Sequence, residues 1–434
     1  MRKTPIILVL FFGTVLAATN QTLEQVLKRL PQSLEWQVID QTFLVAQHNF
    51  ESSLAAAGLR LTVGADVSNN TNTGTGVNNA TYKVNATASL PLLPWASQFD
   101  DIRKAERTFI RAKLDLRDSR NTLFISTNTQ YFNLRIAALD LELAGNTLIL
   151  RENQLKTALT QRNNNQITPE QFATSQQNLE SAKINANQAE NTLELNQQTL
   201  ASTLDQIELS LAISSPPTPA ALLPLENLLK TALIERSDTQ KAILSLRDAE
   251  DNLTIAQRDR WLPASSINLG VSDSGASLNT SLNLQTGSLS VGGSYQPPTT
   301  ASTGTTISLS ASISLPVVSP TGDTRITSAQ TALNSAKQNL ERSKKSAELD
   351  IRQKYSETQN ATRRIELSKK ALENAKNAFT TTQTRVNAGS QTKNDLETSR
   401  LAMQQAERDL ENTIVTAYTT WLRLENSLGK GLTK

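Results

Sequence analysis

The 434-residue chain has no cysteine and a single histidine, His48. The first absence removes disulfides, thiol nucleophiles, zinc-finger spacings and a lipid-modified N-terminal cysteine. The second removes His-rich metal sites. Aromatic residues are scarce at 4%, and hydrophobic residues reach only 38%. That is lean for a large globular core and suits elongated elements with little interior. The formal charge of +3 includes Arg2 and Lys3, and no basic run carries interleaved aromatics. The basic balance therefore gives no reason to expect nucleic acid. Catalytic constellations are missing too. His48 has no Ser or Cys partner in a recognisable motif, and acidic pairs such as Asp100/Asp101 and Glu348/Asp350 read as solvated helix face. Gly74-Thr75-Gly76 and Gly292-Gly293 read as turn chemistry between strands, not as phosphate loops. The expectation is a protein that is not an enzyme and takes neither metal nor cofactor.

What is present begins with Met1–Ala18, which reads as a secretory signal peptide. Arg2 and Lys3 form its basic start, Ile6–Leu16 its apolar stretch, and cleavage falls after Ala17 or Ala18. No later segment is apolar enough for a spanning helix of ~20 residues. If the exported chain crosses a membrane, it does so as strands.

After a helix over about 33–57, the hydrophobic period switches to two. Leu61, Val63, Ala65 and Val67 alternate with polar residues, as do Tyr82, Val84, Ala86, Ala88 and Leu90. These are strands at about 59–69 and 80–91, with one apolar and one polar face. Pro91 and Pro94 end the second. A long helix over about 98–160 follows. Ile102, Ala105, Phe109, Ala112, Leu116, Ser119 and Leu123 recur in 3,4 steps, the heptad spacing of coiled-coil packing. A return helix is expected at about 168–212.

A Pro-rich linker, 214–223, divides the chain, and the plan then restarts. A helix is expected at about 225–261, strands at about 264–274 and 305–316, and helices at about 324–386 and 392–428. At an offset of 224, Ile102, Ala105, Ala112, Leu116, Ser119 and Tyr131 fall on Ile326, Ala329, Ala336, Leu340, Ser343 and Tyr355. The halves, 19–213 and 224–434, are an internal duplication. The second half adds a hairpin at about 276–293. Thr280 and the paired glycines interrupt its apolar face, which favours a flap outside a membrane over a place in a barrel wall.

Each long helix turns at a tip. At the second tip, Gly389 follows the periodic run as a C-cap signal, and Thr392 with Asp395 starts the next helix as a capping box. The first tip, Gln161–Ala182, is a fainter copy: Asn165 stands for the glycine and Gln171 for the aspartate.

The run Arg385-Val386-Asn387-Ala388-Gly389-Ser390-Gln391-Thr392-Lys393-Asn394-Asp395-Leu396, the signal peptide and the duplicated layout resemble the TolC-like outer-membrane efflux proteins. The matching tip positions are Arg385, Gly389, Thr392, Asp395 and Leu396. The resemblance implies a mainly α fold with a small β part. Duplicated long α-hairpin coiled coils would form a periplasmic helical tunnel, and the strands would enter a shared trimeric outer-membrane β-barrel of twelve strands. It implies a passive homotrimeric exit duct for an efflux pump or type I secretion system. A periplasmic adaptor protein and an inner-membrane transporter would be its partners, and outer-membrane lipid its surroundings. By the same resemblance, Arg162, Asn165, Thr168, Arg385, Gly389, Ser390 and Thr392 lie at adaptor-docking tips. Three copies of Asp395 would ring the periplasmic constriction, unless Asp395 is a helix cap alone. Trp95 and Trp261 flank the strands and suit a membrane interface, the alternative being packing at a helix–strand junction. The alternative reading is a non-conducting structural protein of the envelope with a β anchor.

Overall fold

A computed structural model describes residues 22–72, 77–206, 216–262, 264–296, 304–314 and 320–433. The signal segment Met1–Ala18 and the start of the linker lie outside these residues. In chain order the elements are α1 (Leu23–Arg29), a 3₁₀ turn (Leu30–Gln32), α2 (Leu34–Ala56), β1 (Arg60–Asn72), β2 (Val77–Pro91), α3 (Ser97–Asn163), α4 (Pro169–Thr203), α5 (Leu225–Glu235), α6 (Ser237–Trp261), β3 (Ala264–Asp273), β4 (Ala276–Asn283), β5 (Ser288–Tyr295), β6 (Thr306–Ser314), α7 (Pro320–Asn387) and α8 (Lys393–Ser427). Heptad burial is clearest on α7. Leu333, Leu340 and Ala347 are buried in steps of seven, then Ile351, Thr358, Ile365 and Leu372 after one step of four. That is the seam a coiled coil needs.

Two helices depart from the periodicity reading. The helix expected at 168–212 stops at Thr203, and Asp205 takes a left-handed conformation with φ 53°. The turn itself is closed by Asp205 N–H to the Ser202 carbonyl and Gln206 N–H to that of Ala201, a left-handed C-cap that aspartate tolerates. The end is also held from a distance in sequence: the Asp205 carboxylate accepts the backbone N–H of Leu34 at the start of α2. The helix expected at 225–261 is two, broken at Arg236, whose ψ of 133° is extended. The break is held by α3. Arg117 donates to the Glu235 carbonyl (3.0 Å) and to Ser237 Oγ (2.7 Å), and Ser237 Oγ donates to Asp118 (2.7 Å).

The chain forms two compact units that do not follow the duplicated halves, since each draws segments from both. One comprises residues 1–39, 119–229 and 350–434. Its core gathers Val26, Leu30, Trp36, Leu123, Tyr131, Phe132, Leu134, Leu200 and Val415. Buried Asn121 ties in the C-terminal segment. Its amide donates to Asn426 Oδ1 (2.9 Å) and the Lys430 carbonyl (2.8 Å) and accepts from Leu432 N–H (2.8 Å). Arg408 of α8 clasps Asp140 of α3 with two bonds, at 2.7 and 3.0 Å.

The other unit comprises residues 40–118 and 230–349 and holds the six strands found among the described residues. They form one antiparallel sheet in the order β1-β2-β5-β4-β3-β6. The extra hairpin is thus no flap. It lies inside the sheet, between the strands of the two halves. All of β5 pairs with β2 on one side and β4 on the other, and all of β4 pairs with β3. The interruptions that argued against this are absorbed by neighbours: Thr280 lies between Val291 and Leu269, and Gly293 between Ala86 and Leu278. In the helical part of this unit, Asp100 is not the solvated residue its sequence suggests. It pairs with Arg103 and Arg258, its side chain only 10% exposed. Arg107, Arg111, Asp248 and Asp251 extend the ladder between α3 and α6, and Asp259 continues it to Arg325 of α7.

Candidate functional site

The sheet is two-faced across all six strands. Register places Leu61 beside Ala88, Ala88 beside Val291, Leu282 beside Leu289, Ile267 beside Leu282 and Leu269 beside Leu309. One face is therefore apolar from edge to edge. It is also open: Leu61, Val63 and Val67 on β1 and Ile307, Leu309 and Ile313 on β6 are 68–74% exposed. So large an exposed apolar surface marks contact with lipid or protein. The other face carries Ser, Thr, Asn and Gly, with Arg60, Asp66 and Lys83 as its charged residues. Asp66 and Lys83 are register partners, and Asn85 donates to Asp66 Oδ2 (2.9 Å). An apolar face turned one way and a polar face the other is the pattern of a barrel wall between lipid and water. Among the described residues, β1 and β6 are the edge strands, with no further strand beyond them. No described helix is long and apolar enough to cross a membrane.

Trp95 is half-buried at the base of the sheet. Its indole N–H donates to the carbonyl of Leu284, in the β4–β5 turn (2.9 Å). That bond ties the ring to the turn beside the sheet-to-helix junction. Gly287 in the same turn has φ 67°, and its carbonyl accepts from Leu92 N–H (2.9 Å) and Leu93 N–H (3.0 Å). A Cβ there would lie 3.1 Å from Ala96 Cα and from Leu93 Cβ, so only glycine fits both the conformation and the gap. The turn of the inserted hairpin is therefore fixed to the segment that leads from β2 into α3. The side chain of Trp261 lies outside the described residues.

The two tips are in the first unit, and their backbones correspond bond for bond. Asn165 has φ 58° and Gly389 φ 72°, both left-handed. Asn165 N–H donates to the Arg162 carbonyl and Gln166 N–H to that of Gln161; 224 residues on, Gly389 N–H donates to Val386 and Ser390 N–H to Arg385. Asparagine tolerates this conformation better than other residues with a Cβ, so its place at the first tip is no departure in shape. Both return helices open on a capping box: Thr168 with Gln171, and Thr392 with Asp395.

The side chains differ. Arg162 stacks over the ring of Phe172 at 4.6 Å, whereas Arg385 makes no ion pair among the described residues. Asp395 Oδ2 accepts Thr392 N–H (2.8 Å) and Thr392 Oγ–H (2.7 Å). The backbone bond first and the hydroxyl second hold its carboxyl below the usual aspartate value. It is exposed and stays ionised at neutral pH. His48 sits on the surface beside Glu51 at 3.3 Å. Among the described residues no group is placed to hold a metal ion.

A strip of two-faced sheet and a pair of long helical hairpins with matched tips are the structural elements on which a comparison can be made. Residues 228–430, most of the second half, match the family described as outer membrane efflux protein. The fold matches that family's solved structures over nearly the whole chain. The outer membrane protein VceC of Vibrio cholerae aligns at TM-score 0.66 and 16% identity, covering 94% of this chain and 96% of that one. The open-state outer membrane channel MtrE of Neisseria gonorrhoeae aligns at 0.67 and 18%, covering 94% and 89%. The outer membrane channel CmeC of Campylobacter jejuni aligns at 0.67 and 14%, covering 94% and 85%. No curated protein sequence is close enough to count as a relative. The chain is thus similar to the TolC-like outer-membrane efflux proteins, in its second half by sequence and throughout by fold.

Proposed function

We propose that this chain is the outer-membrane exit duct of a tripartite efflux pump or type I secretion system, working passively as a homotrimer. The observation that carries the reading is the sheet: one face apolar and exposed from edge to edge, the other polar. Open sheet edges are not tolerated in hydrocarbon, so the edges at β1 and β6 call for further copies to close the wall. The helices extend into the periplasm, and the tips meet a periplasmic adaptor protein that couples the duct to an inner-membrane transporter. Arg162, Asn165, Thr168, Arg385, Gly389, Ser390 and Thr392 are the docking residues on this reading. Asp395 uses one carboxylate oxygen in its cap. The other is left to form a three-fold carboxylate ring at the narrow end, where it would favour cations. Trp95 serves the sheet-to-helix junction and, through its ring, the lipid boundary beside it.

Purified trimers in planar bilayers test this. The expected result is a small cation-preferring conductance whose preference for cations falls in Asp395→Ala. Trimers that stay silent with and without that substitution would make the chain a structural spacer instead.

A further inference from the structure

We infer that three copies of this chain close an eighteen-strand barrel with a wide, nearly uncharged bore, which selects cargo by girth and not by charge. The inference rests on the duct reading and adds its dimensions. The resemblance to efflux proteins implies four strands per copy, two from each half. Here β4 and β5 are spliced between those pairs and are fully paired on both sides. The splice keeps every rule a barrel wall needs. Two strands are added, so neighbours remain antiparallel throughout. Along the order β1-β2-β5-β4-β3-β6 the directions alternate, leaving β1 and β6 opposed. The β1 edge of one copy can therefore pair antiparallel with the β6 edge of the next, head to tail, which is the contact that closes a ring. The added strands also keep the faces in phase. Leu278, Leu282, Leu289 and Val291 join the apolar face, and Ser277, Asn279, Ser281 and Ser290 join the polar one. Two bonds to the Gly287 carbonyl and one from Trp95 to Leu284 fasten the hairpin at its turn. A flap swung clear of the wall would break all three.

Width follows from strand count. With strands ~4.8 Å apart and tilted about 40°, twelve give a backbone diameter of about 24 Å and eighteen about 36 Å. The bore is lined by short side chains. Arg60, Asp66 and Lys83 are the charges on the polar face, and the last two face each other in register. The undescribed side chains at the ends of β1 and β2, 69–72 and 77–80, include no charged residue. Such a lining offers hydrogen bonds to water and almost no field to an ion, so size is what it discriminates.

Two measurements decide it. In end-on electron-microscope projections of wild-type trimers in lipid nanodiscs, the barrel ring should be half as wide again as a twelve-strand ring. A ring of about 24 Å would overturn the inference. Because the chain has no cysteine, single-cysteine variants give clean labelling in lipid vesicles. A water-soluble maleimide should modify Asn279→Cys and Ser290→Cys about tenfold faster than Leu278→Cys and Val291→Cys, the four compared only where they run as trimers. Equal rates on both faces would make the hairpin a flap. These outcomes separate from the duct reading. A narrow ring that conducts sinks only the width; a wide ring that never conducts sinks only the duct.

Discussion

The first and second tips have the same backbone written in different side chains. Asn165 does what Gly389 does, and Gln171 does what Asp395 does. A left-handed residue two places after the last helical residue, then Thr three places later and an acceptor three residues on, is enough to turn the chain. The duplication has kept that geometry and let the electrostatics drift. The first tip holds its arginine against Phe172, while the second has a free Arg385, Lys393 and an ionised Asp395. Shape is thus the shared constraint, and charge is where the tips are free to specialise.

The equivalence breaks most visibly at the left-handed position. Gly389→Val should cost about 2 kcal/mol of local stability, since a branched side chain pays the full left-handed penalty. No atom lies within 4 Å of the missing Cβ, so the cost is backbone strain and not a clash. Asn165→Gly should instead stabilise its tip, by under about 1 kcal/mol. Amide hydrogen exchange across 386–391 and 162–167 reads both, and equal losses for Gly389→Val and Asn165→Gly would refute the match. Next come the caps. Thr168→Ala should cost about 1 kcal/mol, the ordinary worth of an N-cap. Thr392→Ala should cost more, because it also loses the hydroxyl's bond to a charged acceptor, the Asp395 carboxylate. Smaller still is the arginine. Converting Arg162 to Val, the residue found 224 positions later, removes a cation–π contact worth about 0.5 to 1 kcal/mol. Exchange at the start of α4 should quicken slightly, with the second tip unchanged.

Local signals in the sequence carried much of this. The period-two runs at Leu61–Val67 and Tyr82–Leu90 mark strands because one face of each must be apolar. Thr392 and Asp395 mark a helix start because their side chains satisfy the first free N–H groups. What stayed hidden is non-local. The helix end near Thr203 carries no glycine or proline, and Asp205, which turns the chain there, is held by Leu34, 171 positions from it. The break at Arg236 has neither glycine nor proline, and it exists because Arg117 and Asp118 of α3 bind its open groups. The hairpin at 276–293 is visible as a hairpin, but its position in the sheet is set by pairing partners in β2 and β3. Thr280 and Gly293 look like flaws only until their neighbours are known. Asn165 looked like a weaker substitute for glycine because asparagine's tolerance of the left-handed region shows only in the backbone.

The finest test of the comparison is acid. Asp395 has its carboxyl lowered in the folded tip by the Thr392 N–H and hydroxyl. Its contribution is therefore complete above the ordinary aspartate value. It fades as pH falls through the lowered one, where the proton displaces the accepted bonds. Gln171 makes the equivalent bond to Thr168 N–H (2.9 Å) with an amide oxygen that takes up no proton in this range. Between pH 6 and pH 3, protection of the amides at 392 and 395, corrected for intrinsic exchange, should fall while that at 168 and 171 holds. Asp395→Asn should remove the pH dependence and leave the second tip behaving as the first. If both tips lose protection together, the acid sensitivity belongs to the whole hairpin and not to the one side chain that distinguishes them.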